Sequence, residues 1–236
     1  MSALRRYYTA LSRYRRGKGF GIHSPFAFHF VLRVLKERAA YYFYDDIDEC
    51  RQLASAGRSR MKGRKRPLVS RKNARLLFRI VNCFQPSAVL AFGSSYGVSS
   101  RVILGVSRKT RLWLCEPAEL MPVVAEVLGG EMRRVTAGEC AGELIGQAAQ
   151  EMGECPFVVV DYLRDEDIPP VAAYLGQIVG GEAVVVVRNL SQSQLSQELW
   201  EGMKGRMAHG MTFSNGKIAV AVVRRKLPLH HYQIWF

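Results

Sequence analysis

The residues that could do chemistry in this chain stand at the ends of short apolar runs. Residues 88–92 lead into Gly93-Ser94-Ser95-Tyr96-Gly97, a turn with glycines four apart and hydroxyls between them. Glu116 follows the run 112–115, and Asp161 and Tyr162 follow 157–160. Arg188, Asn189 and Ser191 follow 183–187, and Gly138 and Glu139 end the stretch before the next helical pattern. A glycine lets backbone approach a ligand without a Cβ in the way. A helix start behind such a turn offers free amide donors and a partial positive charge. The combination suits a nucleotide-like or carboxylate-bearing ligand, although a tight strand-to-helix joint is built the same way. An acidic residue ending the second strand is the expected acceptor for ribose hydroxyls. Glu116 meets that description, and its other reading is a carboxylate at a helix start beside Pro117. Arg188 is either a surface arginine at a strand end or the partner of Asp161 on the neighbouring strand.

The elements that must position these residues follow from periodicity. Ala74, Leu76, Leu77, Ile80 and Val81 share one helical face, with Ser70 before it and Pro86 after it. The apolar runs are rich in β-branched residues and alternate with helical patterns at 121–128, 143–151 and 171–179. Continuous apolar strands separated by helices indicate a parallel sheet covered on both faces. In such sheets ligands bind beyond the carboxyl ends of the strands, where the residues named above collect. The ending departs from this pattern. Residues 211–213, Ser214-Asn215-Gly216 and 217–223 read as an antiparallel hairpin, because Asn-Gly favours a tight turn.

The chain has 236 residues, 48% hydrophobic, which suits one α/β domain with an extension. Its 34 Lys and Arg outnumber 20 Asp and Glu, a net charge of +14 that points to an anionic partner. The five cysteines are scattered without a Cys-x-x-Cys pair, which argues for reduced thiols in a cytoplasmic protein rather than disulfides or zinc. We expect no transmembrane segment and no signal peptide, since no apolar run is long enough and no cleavage pattern follows the basic start.

The amino-terminal third is basic and aromatic. Leu4, Tyr7, Tyr8 and Leu11 recur at helical spacing among arginines, and Gly17, Gly19 and Gly21 break the pattern. His23-Ser24-Pro25-Phe26 then reads as a helix start, with Ser24 as N-cap and Pro25 at the first helical position. His23 is read as fixing that turn rather than as a base. Asp45, Asp46, Asp48 and Glu49 are expected to face solvent or basic neighbours rather than a metal. Residues 54–72 read as a mobile basic linker carrying Arg58, Arg60, Lys62, Arg64, Lys65 and Arg66. Such a run is either solvated charge or a contact for nucleic acid or another anionic surface.

Ser70-x-Lys72, Leu76-Leu77, Ile80-Val81, Pro86 and Val89-Leu90-x-x-Gly93-x-Ser95-x-Gly97 resemble the class I S-adenosylmethionine-dependent methyltransferases, in particular the catechol-O-methyltransferase-like branch. Gly21-x-His23-Ser24-Pro25-Phe26 resembles a bacterial group of that branch with a helical amino-terminal extension. The resemblance implies a Rossmann-like, doubly wound α/β fold with a mainly parallel seven-stranded sheet ending in an antiparallel hairpin. It divides the chain into an extension and basic linker, 1–69, and a methyltransferase domain, 70–236. It implies S-adenosylmethionine as cofactor, with Gly93, Ser94, Ser95 and Gly97 at its methionine end, Glu116 on the ribose, and Gly138 and Glu139 near the adenine. Asp161 would face both cofactor and substrate; Arg188, which departs from the family, is read from its own strand end as the second catalytic residue.

Two departures from the family stand out. Ala91 replaces a usual Glu two residues before Gly93. Metal-using relatives carry a carboxylate where this chain has Arg188, and an always-charged guanidinium repels a divalent cation. The reading is therefore a metal-independent methyltransferase with an unassigned acceptor. Its rival is a degenerate, non-catalytic form of the same fold that binds an anionic partner. Tyr162 and His209 are the remaining candidates for a base. The sequence leaves the oligomeric state open.

Overall fold

The computed structural model describes residues 22–63, 65–191 and 194–236. The proposed helix near the amino terminus and its glycine break lie outside the described residues. After it come α1 (Pro25–Phe30, continued by a π-turn at Val31–Leu35), α2 (Tyr44–Arg60), α3 (Arg71–Phe84), β1 (Ala88–Phe92) and α4 (Val98–Leu104). Then follow β2 (Arg111–Cys115), α5 (Met121–Leu128), β3 (Val135–Gly138), α6 (Ala141–Ala149), β4 (Phe157–Val160) and α7 (Ile168–Ile178). The chain ends with β5 (Ala183–Arg188), α8 (Gln194–Gly205), β6 (Met211–Ser214), β7 (Ile218–Val223) and β8 (His230–Gln233).

The strands form one eight-stranded sheet in the order β3-β2-β1-β4-β5-β7-β6-β8. The first five run parallel, and β7 lies antiparallel between β5 and β6. The doubly wound α/β fold expected from the sequence is therefore present, and β8 extends the expected seven strands by one. The side-chain period of two divides each central strand between two cores. Val89 and Ala91 join Leu112, Leu114, Val159 and Val186 under α1–α5. Leu90 and Phe92 join Trp113, Val158, Val160 and Val185 under α6–α8. With both faces covered, β1, β4, β5 and β7 are buried along their whole length, which is why they read as unbroken apolar runs.

Helix starts follow the chemistry read from the sequence. The Ser24 hydroxyl accepts from the Ala27 amide at 3.3 Å with Pro25 at the first helical position. The Ser70 hydroxyl accepts from the Asn73 amide at 3.2 Å. Helix α3 closes on Gln85, whose φ of 47° is left-handed, one residue before Pro86. The β6–β7 hairpin turns at Gly216, φ 85°, while the Asn215 side chain accepts from the Lys217 and Ile218 amides.

The linker reading of 54–72 is corrected for its first part, because residues 54–60 are the end of α2. Charge masked this helix. Its buried residues Tyr44, Ile47, Cys50, Ala54 and Gly57 keep helical spacing, with Asp45 and Asp46 in the first turn and Arg58 and Arg60 in the last. Gly57 permits close contact with α5, since a Cβ there would stand 2.5 Å from Val123 Cγ1. Within the acidic cluster Asp48 faces basic neighbours, while Asp45, Asp46 and Glu49 are exposed. Asp48 binds Arg71 at 2.6 Å and Arg75 at 3.3 Å. Residues of α1 and α2 share one apolar cluster with the strands, so the extension adds to the core. No helix of the described residues is long and apolar enough to cross a membrane.

Candidate functional site

The carboxyl ends of β1, β2, β4 and β5 open on one side of the sheet, and the turn after β1 forms its floor. Gly93 has φ 78°, and a Cβ there would meet the Tyr162 backbone nitrogen at 2.9 Å. Gly97 has φ 90° and lies against α5, where a Cβ would come within 3.0 Å of Val127 Cβ. Ser95 and Tyr96 between them also have positive φ, 53° and 60°. Both glycines are thus demanded by the joint itself, which leaves the ligand-approach reading to rest on other observations. Ser94 is fully buried, and its hydroxyl accepts from the Gly97 amide at 2.9 Å while donating to Glu116. Ser95 accepts from the Val69 amide at 2.7 Å and so fastens the segment before α3 onto the turn.

Glu116, only 2% exposed, stands at the end of β2 beside this turn. Arg66 donates to it at 3.0 Å and lays its guanidinium over the Tyr162 ring, 3.6 Å from the ring centre. The Arg66 carbonyl accepts from Arg58 Nε at 2.9 Å and from the Tyr96 hydroxyl at 3.2 Å. Burial pushes the Glu116 carboxyl above its ordinary range, against the opposing pull of Ser94 and Arg66. The nearby Cys115 thiol is pushed up to about 12 by burial, so it stays neutral and unreactive.

Asp161 and Arg188 meet across β4 and β5, whose register sets Val160 opposite Val187. Arg188 Nη1 lies 2.5 Å from Asp161 Oδ2, and both side chains are 4% exposed. Ser99 completes a triangle, donating to Asp161 at 2.6 Å and accepting from Arg188 at 3.0 Å. Asn189, held at φ 60°, donates to the Asp161 carbonyl at 2.8 Å and to its Oδ1 at 3.2 Å. Buried Arg188 Nε has no hydrogen-bond partner among the described residues.

Gly138 and Glu139 lie at the end of β3, as anticipated. The Gly138 carbonyl accepts from the Glu116 amide at 3.1 Å, and the exposed Glu139 carboxylate accepts from the Ala118 amide. Ala91 is buried in β1. Of the other candidates, Tyr162 is 43% exposed at the site. His209 bonds to the Gly181 carbonyl, at 2.8 Å, at the opposite end of the sheet. His23 is exposed and distant in the fold order from these strand ends.

A cavity of about 710 Å³ opens over these strand ends, reached by Ser95, Glu116, Asp161, Tyr162 and Asn189 and bordered by Lys62 and Lys65. Beside Gly93 the space shrinks to about 10 Å³ between Arg66, Glu116 and Tyr162. Of the basic run, Arg60 pairs with Glu126 and Lys65 donates to the Ser59 carbonyl at 3.0 Å. Arg64 lies outside the described residues. Sequence reasoning assigned Arg66 to this run and missed its place on Glu116, 50 residues away, for which no local signal exists. It also missed Ser99 and the Arg164–Asp167 pair, at 2.8 Å, beside the same opening. The i,i+3 spacing of Arg164 and Asp167 was a readable signal for the latter.

Solved structures superpose on this fold. The O-methyltransferase from Bacillus cereus in complex with SAH superposes with a TM-score of 0.55 at 17% identity, covering 82% of this chain and 96% of that one. The fold matches that of solved methyltransferases. The O-methyltransferase TomG from Streptomyces achromogenes, in complex with SAM, gives 0.54 at 19% identity over 83% of this chain and 94% of its own. The SAH-bound Podospora anserina methyltransferase PaMTH1 gives 0.54 at 13% identity over 87% and 98%. No family model matches the sequence, and no curated protein matches it.

Proposed function

We propose that the protein is an S-adenosylmethionine-dependent methyltransferase that works without a divalent cation. The observation that carries this reading is Glu116, a buried carboxylate at the end of β2, beside the glycine turn and open to the cavity. Solved structures of the same fold hold SAM or SAH, which supports the choice of cofactor. The residues fit that group on one condition. Glu116 is placed to accept ribose hydroxyls, but Arg66 now occupies it, and the narrow space beside Gly93 opens only if the Arg66 side chain swings away. Arg66 is held there from a loop and is about a quarter exposed, so the movement breaks one ion pair and one ring contact.

The cofactor supplies an electrophilic methyl on a sulfonium. The chain's task is then alignment of the acceptor with that methyl and exclusion of water. Gly93 borders the narrow space and Ser95 and Asp161 line the cavity, whereas Gly138 and Glu139, at the end of β3, line neither. Arg188 holds Asp161 fixed through the short contact and the Ser99 bridge. It stands where a second carboxylate would be needed for a divalent ion, so Asp161 is neutralised by guanidinium instead. Lys62 and Lys65 on the rim favour an acceptor carrying an anionic group. Tyr162, exposed at the cavity, is the group nearest to hand for orienting an acceptor hydroxyl.

The test is thermal shift and calorimetry with S-adenosylhomocysteine, with and without EDTA. Binding that EDTA leaves unchanged and Glu116→Ala weakens supports the reading. The second reading, a non-catalytic module on the same fold, is favoured by one observation: both site carboxylates already carry arginine partners. Absence of binding at millimolar ligand establishes that second reading.

A further inference from the structure

A second concave region lies at the opposite end of the sheet, where β2 and β3 begin. The turn between α4 and β2 brings Arg108 and Lys109 there, β2 opens with Arg111, and the 3₁₀ turn Gly129–Arg134 brings Arg133 and Arg134. Together they line an open cleft of about 630 Å³ with Val135 as its only apolar side chain. This cleft shares no residue with the cavity over Glu116 and Asp161.

Arg134 is the brace that makes this a shaped site rather than a scatter of charges. Its Nη1 donates to the Ser107 carbonyl at 2.6 Å and the Thr110 carbonyl at 3.1 Å, and its Nη2 to the Leu104 carbonyl at 2.8 Å. Nε donates to Glu131 at 2.7 Å. The guanidinium thus ties the α4–β2 turn to the turn before β3, and Glu131 is consumed by Arg134 and Arg101. Arg108, Lys109 and Arg133 are exposed and make no ion pair among the described residues. Arg111 meets Glu151 only at 3.7 Å, with both side chains more than half exposed. Exposed pairs at that distance contribute little. Cations left without counter-charges on a braced frame repel one another, and a phosphate-rich ligand relieves that repulsion.

We propose that this cleft binds the phosphodiester backbone of nucleic acid. The lining decides the class. It has no aromatic side chain on which a base could stack, so contact is with phosphates and independent of base sequence. It presents no large apolar side chain for insertion into a bilayer. The site is independent of the methyl-transfer reading and serves to hold the protein on a polyanion.

The experiment is fluorescence anisotropy of the full chain with a fluorescein-labelled 20-nucleotide single-stranded RNA between 50 and 200 mM salt. Arg108→Glu with Arg133→Glu should lower affinity at least tenfold at 50 mM salt. It should also flatten the log–log salt dependence by about 1.4, at roughly 0.7 for each single-strand phosphate that is no longer neutralised. The charge-matched pair Arg225→Glu with Lys226→Glu, also exposed, controls for net charge and should change affinity less than threefold. Both variants should keep the wild-type melting temperature. Equal losses of affinity in the two pairs overturn the proposal, since net charge alone then accounts for binding. So does a first pair that leaves RNA binding intact but abolishes binding to phosphatidylglycerol vesicles.

Discussion

Two arginine–carboxylate pairs sit at the same end of the sheet and differ in kind. Arg188 and Asp161 come from adjacent strands, are almost fully enclosed and share Ser99 as a partner, while Asn189 donates to Asp161 as well. Arg66 and Glu116 join a loop to a strand end, and only the carboxylate is enclosed, at 1% side-chain exposure against 23% for the arginine. The first pair is part of the architecture, because removing either charge strands the other in a dry place. The second is a cover whose arginine can leave to water while Glu116 keeps Ser94. On the proposed reading, burial assigns one arginine to permanent charge balance and the other to competition for a ligand position.

Arg188 is where this difference should show most strongly. Arg188→Ala leaves Asp161 buried without its counter-charge and should destabilise the fold by about 3–5 kcal/mol, read from urea unfolding. Arg188→Met together with Asp161→Leu should recover much of that loss, since a buried pair replaced by apolar groups costs little. A loss below about 1 kcal/mol in the single variant would mean that Asp161 is better solvated than its burial indicates. Glu116→Ala comes next. It should weaken S-adenosylhomocysteine binding by about 1–3 kcal/mol by removing charge-assisted hydrogen bonds, measured by calorimetry. Arg66→Ala has a smaller effect of opposite sign. It should tighten the same ligand about three- to tenfold, the worth of a largely buried ion pair plus a ring contact, with a correspondingly small fall in melting temperature.

The pH dependence sharpens the contrast with direction alone. Burial raises the Glu116 carboxyl, so its proton is lost only above the ordinary carboxylate range. The ionised form is the better acceptor for ribose hydroxyls. Affinity for S-adenosylhomocysteine should thus strengthen as pH rises through that elevated value, and Glu116→Gln should flatten the profile.

The sequence made the fold legible where burial was complete. Strands β1, β4 and β5 lie between two apolar cores, so their residues had to be apolar on both faces, and their bounds were readable to within a residue. β3 and β8 are the two edges and half-exposed, and neither shows a comparable run. Helix α2 was hidden because its outward face carries the charges of a linker. In the site, residues beside their own strand ends were found in order, from Gly93 to Arg188. Arg66 was not, because its contact with Glu116 is made by the path of a loop and leaves no periodic trace.

Arg66 as the cover of a working ligand position on Glu116 is the central claim. Parallel calorimetric titrations of wild type and Arg66→Ala with S-adenosylhomocysteine test it most directly. Saturable binding by both, with the variant tighter, is the predicted result. Binding by neither, or weaker binding by Arg66→Ala than by wild type, would contradict it.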